Sequence, residues 1–204
     1  FRVTEIALGD KAVGQFNDAP ILEAARLLAD AHVRVIAWNG TSGGWLGLDR
    51  DRALCAAIEK ETGVPGTSSV LALAEIFRLT GVTRYGLVSP YTDDVQAKIQ
   101  ERFLSEGFTC VGEAHTGESR NFNFSLLDEA TIADMIRAVA RNKPQAITVF
   151  CTNMRGAPLA AALERELGIP IYDTVATAVW SSLKIAGVSP ARVRGWGRLF
   201  QDVP

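Results

Sequence analysis

Short apolar runs alternate with longer amphipathic segments of helical period along the sequence. This alternation is typical of parallel strands joined by crossover helices. The run VRVIAWN (33–39) has a continuously apolar centre, as expected of a strand covered on both faces. The predicted strands are residues 1–8, 33–39, a short segment near Val64, 85–89, 108–115 and 145–150. The predicted helices are 18–31 (capped by Asp18), 49–61, one ending near Gly81, 92–107, 128–143 and 157–167.

The two halves of the sequence can be aligned with each other. Residues 61–82 match residues 166–188, and the alignment places Gly63 on Gly168. A duplication of this kind predicts two similar small domains. We therefore expect an α/β fold in which each domain is a parallel sheet flanked by helices (flavodoxin-like), and in which a pseudo-twofold axis relates the two domains.

The duplication has further consequences. It places the segment GTS (40–42) opposite the segment CTN (151–153). The first half lacks a counterpart of residues 83–107, so we expect the native protein to have about that much more sequence before Phe1. The expected domains are residues 1–81 plus 189–204, and residues 82–188.

Composition and charge argue against several classes of protein. The 204 residues carry a net charge of −2 without a cluster of Lys and Arg, which argues against nucleic acid or an anionic membrane surface as the partner. No apolar run approaches the roughly 18 residues that span a bilayer. Three cysteines without a CxxC spacing and only two histidines argue against a metal site. Three cysteines that are expected to be reduced thiols predict a cytoplasmic protein. The sequence does not decide whether the protein forms a homo-oligomer.

Four polar loops follow predicted strands. They are the segments 39–44 (NGTSGG), 66–69 (GTSS), 89–94 (SPYTDD) and 151–156 (CTNMRG). Ligands of open parallel sheets bind beyond the carboxyl ends of the strands. Each loop precedes a predicted helix, whose N–H groups and dipole favour an anion. The loops therefore predict a site for a small anion such as a carboxylate. The alternative is that their polar side chains only cap helices.

Cys151 is the candidate catalytic residue. It lies where a predicted buried strand meets the start of a helix, a position that lowers the pKa of a thiol and favours reactivity. The alternative role, a small buried core residue, suits Cys55 in a helix and Cys110 in a strand better. Aromatic residues that are candidates to line or cover an apolar part of the cleft are Trp38, Trp45, Phe122 and Phe124.

Several motifs resemble one known group of enzymes. Two duplicated α/β halves with a Cys-Thr or Gly-Thr-Ser loop at each strand end resemble the aspartate/glutamate racemase superfamily. The segments CTNMRG, SPYTDDV and ETGVPGTSSVLALAEIFRLTGV resemble its maleate cis-trans isomerase branch. The GTS loop, the lone cysteine of the second loop and the tail GWGRLF resemble the arylmalonate decarboxylase branch. The resemblance covers almost the whole chain.

The resemblance implies a cofactor-independent reaction on a small dicarboxylate. Family racemases and isomerases carry two cysteines that face each other across the substrate, whereas the first position here is Gly40. A two-base racemase is therefore disfavoured, and decarboxylation of a malonate-type substrate is favoured. One carboxylate is held, the other leaves as carbon dioxide, and Cys151 protonates the enediolate. The residues implied in substrate binding are Gly40, Thr41, Ser42, Tyr91, Thr152 and Asn153.

Two alternatives stay open. Asn153 and Arg155 depart from the decarboxylase pattern and suit a second held carboxylate. They fit a maleate isomerase-like enzyme, in which Cys151 adds to a carbon–carbon double bond, or a racemase-like isomerase that uses Cys151. The other alternative is a non-catalytic carboxylate-binding protein that lost its activity when position 40 lost its cysteine.

Overall fold

The helices and strands of residues 17–204, which the computed structural model describes, follow the predicted alternation. The strands are β1 (Ile36–Trp38), β2 (Gly66–Ser68), β3 (Arg84–Ser89), β4 (Thr109–His115), β5 (Ala146–Val149) and β6 (Ile171–Asp173). The helices are α1 (Asp18–Ala29), α2 (Gly43–Leu46), α3 (Leu48–Thr62), α4 (Ser69–Thr80), α5 (Asp93–Ser105), α6 (Asn121–Phe124), α7 (Glu129–Ala140), α8 (Ala160–Leu167), α9 (Thr174–Ile185) and α10 (Leu199–Asp202). Short 3-10 turns occupy Ala157–Leu159 and Pro190–Arg192. The strand predicted at residues 1–8 lies outside the described residues.

The described strands form two parallel sheets. β1 pairs with β2, and the larger sheet has the order β4-β3-β5-β6. β5 is buried at every position, as expected of a parallel strand that is covered on both faces. The predicted fold class, α/β with parallel sheets flanked by helices, is confirmed.

Two glycines end equivalent helices in the two halves. Gly63 follows α3 and Gly168 follows α8, with φ angles of 70° and 71°. Glycine adopts this left-handed conformation without the steric cost that a Cβ atom imposes, and it is a common way to end a helix. The structure therefore agrees with the alignment that places one glycine on the other.

Two local predictions were wrong. The N-cap of α1 is Asn17, whose Oδ1 accepts a hydrogen bond from the Ala19 N–H at 3.0 Å, so Asp18 is already helical. The segment 66–69, predicted as a loop, forms β2 and the first residue of α4. Its polar residues become a strand because β1 supplies a parallel partner along the whole of β2. Tertiary pairing here overrides local propensity.

The two halves meet where α4 packs against α9. Helix α9 also contacts both strands of the smaller sheet. Val70 and Phe77 of α4 and Trp180 of α9 are completely buried in one hydrophobic cluster. Thr67 and Ser181 add a buried hydrogen bond of 2.8 Å between their hydroxyl groups. Within residues 17–204, no helix combines the length and the apolar character needed to cross a membrane.

Candidate active site

The hydroxyl group of Tyr91 connects the loops of the two halves. Tyr91 follows β3 and is 3% exposed. Its Oη lies 2.6 Å from Thr41 Oγ1, in the loop after β1. The same hydroxyl lies close enough to the thiol of Cys151, in the loop after β5, to lower the pKa of that thiol. The carboxyl ends of three strands therefore meet at one cluster of a thiol and two hydroxyl groups.

Aromatic side chains surround Tyr91. The ring centroids of Trp45 and Phe124 lie 5.2 Å and 5.5 Å from that of Tyr91, and all three side chains are buried. Phe122, the other aromatic candidate in α6, is exposed. Burial raises the pKa of Tyr91 well above its usual value. The phenol is therefore neutral and able to donate a hydrogen bond at physiological pH.

Cys151 is buried, and its thiol is held by local contacts. Its Sγ accepts a hydrogen bond from the Asn153 N–H at 3.4 Å. Burial raises the pKa of the thiol to about 11, although the contacts with Asn153 and Tyr91 act in the opposite direction. The position at a strand end favours a lowered pKa and the role of proton donor suits a pKa near or above the working pH, a balance that the sequence leaves open and that burial tips towards the raised value. Helical structure after this strand starts only at the 3-10 turn Ala157–Leu159, so no helix begins at the cysteine, and desolvation dominates.

Gly40 occupies the position equivalent to Cys151. β1 ends at Trp38 and β5 ends at Val149, and each position lies two residues further along. A Cβ atom on Gly40 would lie 2.6 Å from Cζ2 of Trp38, so the indole ring already occupies the space of a side chain. The Ser69 hydroxyl donates a hydrogen bond of 2.8 Å to the Gly40 carbonyl oxygen. The first loop is therefore anchored through its backbone.

Thr152 and Asn153 lie beside the thiol in the second loop, and both are half-buried. The Asn153 Nδ2 donates hydrogen bonds to the Asn121 carbonyl oxygen at 2.6 Å and to Asn121 Oδ1 at 3.1 Å. This amide therefore ties the loop to α6. Arg155, the other polar residue singled out in this loop, is exposed.

Thr41 and Ser42 are both buried, but they have different surroundings. Thr41 is the one that contacts Tyr91. Ser42 lines a small cavity together with Trp38 and Asp51, and its side chain does not cap α2. The structure thus brings Thr41, Tyr91 and Cys151 into one cluster, whereas Ser42 lines a cavity that none of these three residues lines.

Sequence reasoning missed the buried carboxyl groups that lie under the two loops, Asp51 and Asp173. For Asp173 a signal existed, because it follows the apolar run of β6 and the alignment of the halves places it on Ser68. Asp51 lies in the charged run LDRDR, which reads as an exposed helix face. Its burial follows only from the way the loop folds over it.

Open parallel sheets bind their ligands at the carboxyl ends of the strands. A buried thiol and hydroxyl donors at that place are typical of an enzyme site for a small anion. In residues 17–204 there is no group of three or more His, Cys, Asp or Glu side chains placed to hold a metal ion. The chain belongs to the arylmalonate decarboxylase family, whose sequence model matches residues 11–200.

Relatives with two activities are similar to this chain. An arylmalonate decarboxylase of Bordetella bronchiseptica is 27% identical over 185 residues, which cover 89% of this chain and 77% of the relative. A maleate isomerase of Nocardia farcinica is 27% identical over 136 residues, which cover 66% of this chain and 54% of the relative. A structure of a Nocardia farcinica maleate cis-trans isomerase mutant matches this chain with a TM-score of 0.89 at 21% identity. The match covers 100% of this chain and 84% of the isomerase chain.

The comparisons confirm the resemblance predicted from the motifs. Both relatives are enzymes, and the chain is an enzyme of the decarboxylase or isomerase kind. The fold does not separate the two kinds. Sequence identity is the same for both relatives, although the decarboxylase match extends over more of the chain.

Proposed function

We propose that the protein is a cofactor-independent decarboxylase of a small malonate-type dicarboxylate, with Cys151 as its proton donor. The observation that carries the proposal is the asymmetry of the paired site. One loop has a buried thiol, whose pKa burial raises to about 11, and the other has Gly40 in the equivalent position. A single protonated thiol suits one-sided delivery of a proton better than two-sided proton exchange.

The proposed reaction uses one thiol proton per turnover. The bond between the central carbon and one carboxylate breaks, and that carboxylate leaves as carbon dioxide. The electron pair moves into the remaining carboxylate, which becomes an enediolate. The S–H bond of Cys151 then breaks as its proton passes to the central carbon. The thiolate regains a proton from solvent, so the protein is unchanged after the turnover.

The hydroxyl groups of Thr41 and Tyr91 are the proposed donors to the held carboxylate. Their oxygen atoms lie 2.6 Å apart in a buried site, so a mutual hydrogen bond holds both groups in a preorganised arrangement. Ser42, Thr152 and the Cys151 backbone are further donors by family resemblance. Donors aimed at developing negative charge contribute roughly 3 kcal/mol each when the site excludes water. Trp45 and Phe124 help to exclude water around Tyr91.

An isomerase of the maleate type is the second candidate. The half-buried Thr152 and Asn153 next to Cys151 favour it, because they offer polar groups to a second carboxylate. The hydrogen bonds from Asn153 to Asn121 count against it, since they already occupy the amide donor. The raised pKa of Cys151 also counts against it, because addition to a double bond requires a thiolate.

The test is incubation with a 2-aryl-2-methylmalonate and, separately, with maleate in D2O, followed by NMR. We expect carbon dioxide and a monocarboxylic acid with one deuterium at the central carbon, in excess of one enantiomer. Formation of fumarate without decarboxylation would instead establish the isomerase. If neither substrate reacts but a dicarboxylate raises the Tm, the protein binds carboxylates without this chemistry.

The three cysteines are free thiols, which fits the reducing cytoplasm where we place the enzyme.

A further inference from the structure

Gln96 is a polar residue on the buried face of α5. The other buried residues of this helix, Val95, Ile99 and Phe103, are apolar, and Gln96 is 2% exposed. Burying an amide costs free energy unless hydrogen bonds replace those that it makes with water. Packing of α5 does not require an amide at this position, so its role lies in the groups that it binds.

The amide of Gln96 joins the ends of β3 and β4. Its Nε2 donates a hydrogen bond of 2.9 Å to Glu113 Oε2 on β4. Because a carboxylate only accepts hydrogen bonds, this contact orients the amide and directs its Oε1 elsewhere. That oxygen accepts a hydrogen bond of 2.6 Å from Oγ of Ser89, the last residue of β3. Ser89 is completely buried, so its hydroxyl group depends on this partner.

The hydroxyl group of Ser89 in turn holds the backbone of Tyr91. Its proton is directed at Gln96, so its lone pairs can accept, and Oγ receives a hydrogen bond of 3.2 Å from the Tyr91 N–H. The carbonyl oxygen of Tyr91 accepts a hydrogen bond of 3.2 Å from the Gly117 N–H. Both backbone groups of Tyr91 are thus fixed, and the phenol extends from this anchored base to Thr41.

His115 anchors the outer end of this network, which consists of Ser89, Gln96, Glu113 and His115. The Nδ1 of His115 lies 2.7 Å from Glu113 Oε2, and its Nε2 lies 2.7 Å from Asp93 Oδ1. Asp93 begins α5, the helix that carries Gln96. His115 therefore bridges β4 and α5 and keeps Glu113 within reach of the amide.

We propose that Gln96 is a positioning residue for Tyr91: acting through Ser89, it fixes the backbone from which the phenol reaches Thr41. The proposal rests on the proposed function, in which the phenol donates to the held carboxylate. Such a donor must be in place before the negative charge develops. A misplacement of about 1 Å can cost roughly 100-fold in rate, so a residue that never touches the substrate can still limit the reaction.

The first test observes Tyr91 without substrate. The chain has three tyrosines, so NMR of protein isotope-labelled at the tyrosine ring carbon Cζ gives few signals, and the signal lost in Tyr91→Phe identifies Tyr91. We expect Gln96→Leu and Ser89→Ala each to shift or broaden that signal and to leave the signal of Tyr172 in place. Circular dichroism identifies variants that have lost their fold. Ser89→Ala removes a single oxygen atom and decides the test if Gln96→Leu unfolds.

Ser181→Ala is the matched control, because it removes a buried hydrogen bond of 2.8 Å, to Thr67, that lies outside the network. We expect it to leave the Tyr91 signal unchanged. An unchanged Tyr91 signal in the folded variants of Gln96 and Ser89, or an equal change in Ser181→Ala, would overturn the proposal. Since no substrate is used, this result is separate from the outcome of the decarboxylation test.

The second test separates positioning from stability. Each single variant leaves one buried polar group without its partner, whereas the double variant of Gln96→Leu and Ser89→Ala removes both groups. We expect the double variant to lose less stability than the two single variants together. We expect kcat to fall about 10- to 100-fold in the single variants with little change in KM, and to stay as low in the double variant. A kcat that recovers together with stability would show that the network acts on folding alone.

Discussion

The loops at residues 40–44 and 151–156 occupy equivalent places in the two halves but differ in chemistry. Each follows a strand of equivalent register, and each packs a glycine against a buried carboxyl group. The second loop carries the thiol of Cys151, whereas the first carries Gly40 and a Trp38 ring that fills the space beside it. The two halves therefore share a backbone frame, and of these two loops the second alone carries a thiol. A one-sided site favours a single proton transfer with a defined direction.

The strongest test of this comparison is Cys151→Ser. A serine hydroxyl is a far weaker acid than a thiol, so we expect the decarboxylation rate to fall roughly 100- to 10,000-fold. Activity is measured by carbon dioxide release, and folding by circular dichroism. Cys110→Ser is the control, because its part-buried thiol donates to the Gly112 carbonyl oxygen at 3.3 Å and a hydroxyl can do the same. Full activity of Cys151→Ser would remove the chemical difference between the loops.

Tyr91→Phe removes the hydroxyl group that joins the two loops. We expect kcat to fall roughly 100-fold, because a preorganised donor to the enediolate is lost. The pKa of Cys151 should rise further, since the contact with Tyr91 lowers it. Tyr85→Phe is the matched control: Tyr85 is also buried, but its hydroxyl has no hydrogen-bond partner among the described residues. Equal losses in the two variants would show that Tyr91 acts through packing alone.

Gly40→Cys tests whether the loops are interchangeable. We expect it to gain racemising or isomerising activity, because a second thiol then faces the substrate from the first loop. The new Cβ atom would lie 2.6 Å from the Trp38 ring, so we also expect a stability loss of about 1–3 kcal/mol. Chiral chromatography of the product measures the first effect, and urea denaturation the second. Gly40→Ala is the control, because it reproduces the crowding without adding a thiol. Isomerisation by Gly40→Ala, or no isomerisation by Gly40→Cys, would contradict the functional equivalence of the two loops.

The two buried carboxyl groups predict a shared pH dependence of stability. Burial raises the pKa of Asp51 to about 6 and that of Asp173 to about 7, above the value of about 3.9 in an unfolded chain. The stability that the two protonated carboxyl groups contribute to the folded protein is fully present below about pH 4. It is lost as the pH rises towards about 7, because these groups release their protons at a lower pH in the unfolded state than in the folded state. Each group can contribute a slope of up to about 1.4 kcal/mol per pH unit.

Asparagine variants isolate this slope. Asp51→Asn and Asp173→Asn should each lose less stability than the wild type between about pH 4.5 and about pH 6.5, as measured by urea denaturation. The double variant should show the smallest loss, because the two groups lie under different loops. A slope in both single variants equal to that of the wild type would contradict burial of an acid under each loop.

Much of the architecture could be predicted from the sequence because its signals are local. Apolar runs, helical periods and the glycines that end helices depend on neighbouring residues, and the duplication repeats them, as at Gly63 and Gly168. The alternation of strands and helices follows from this pattern, whereas the order of strands in each sheet and the conversion of the loop 66–69 into β2 come from tertiary pairing. The domain boundaries stay a prediction, since one core runs from α4 into α9.

The sequence by itself determined the α/β fold, the paired loops and the presence of one cysteine where the other loop has glycine. Only the tertiary structure decided how these residues behave. The contact between Tyr91 and Thr41 joins residues 50 positions apart, and no local pattern encodes it. The high pKa of Cys151 and the unpaired oxygen of Asp173 depend on burial by segments distant in sequence. Desolvation is a property of everything that surrounds a group, so it can be read only after the chain has folded.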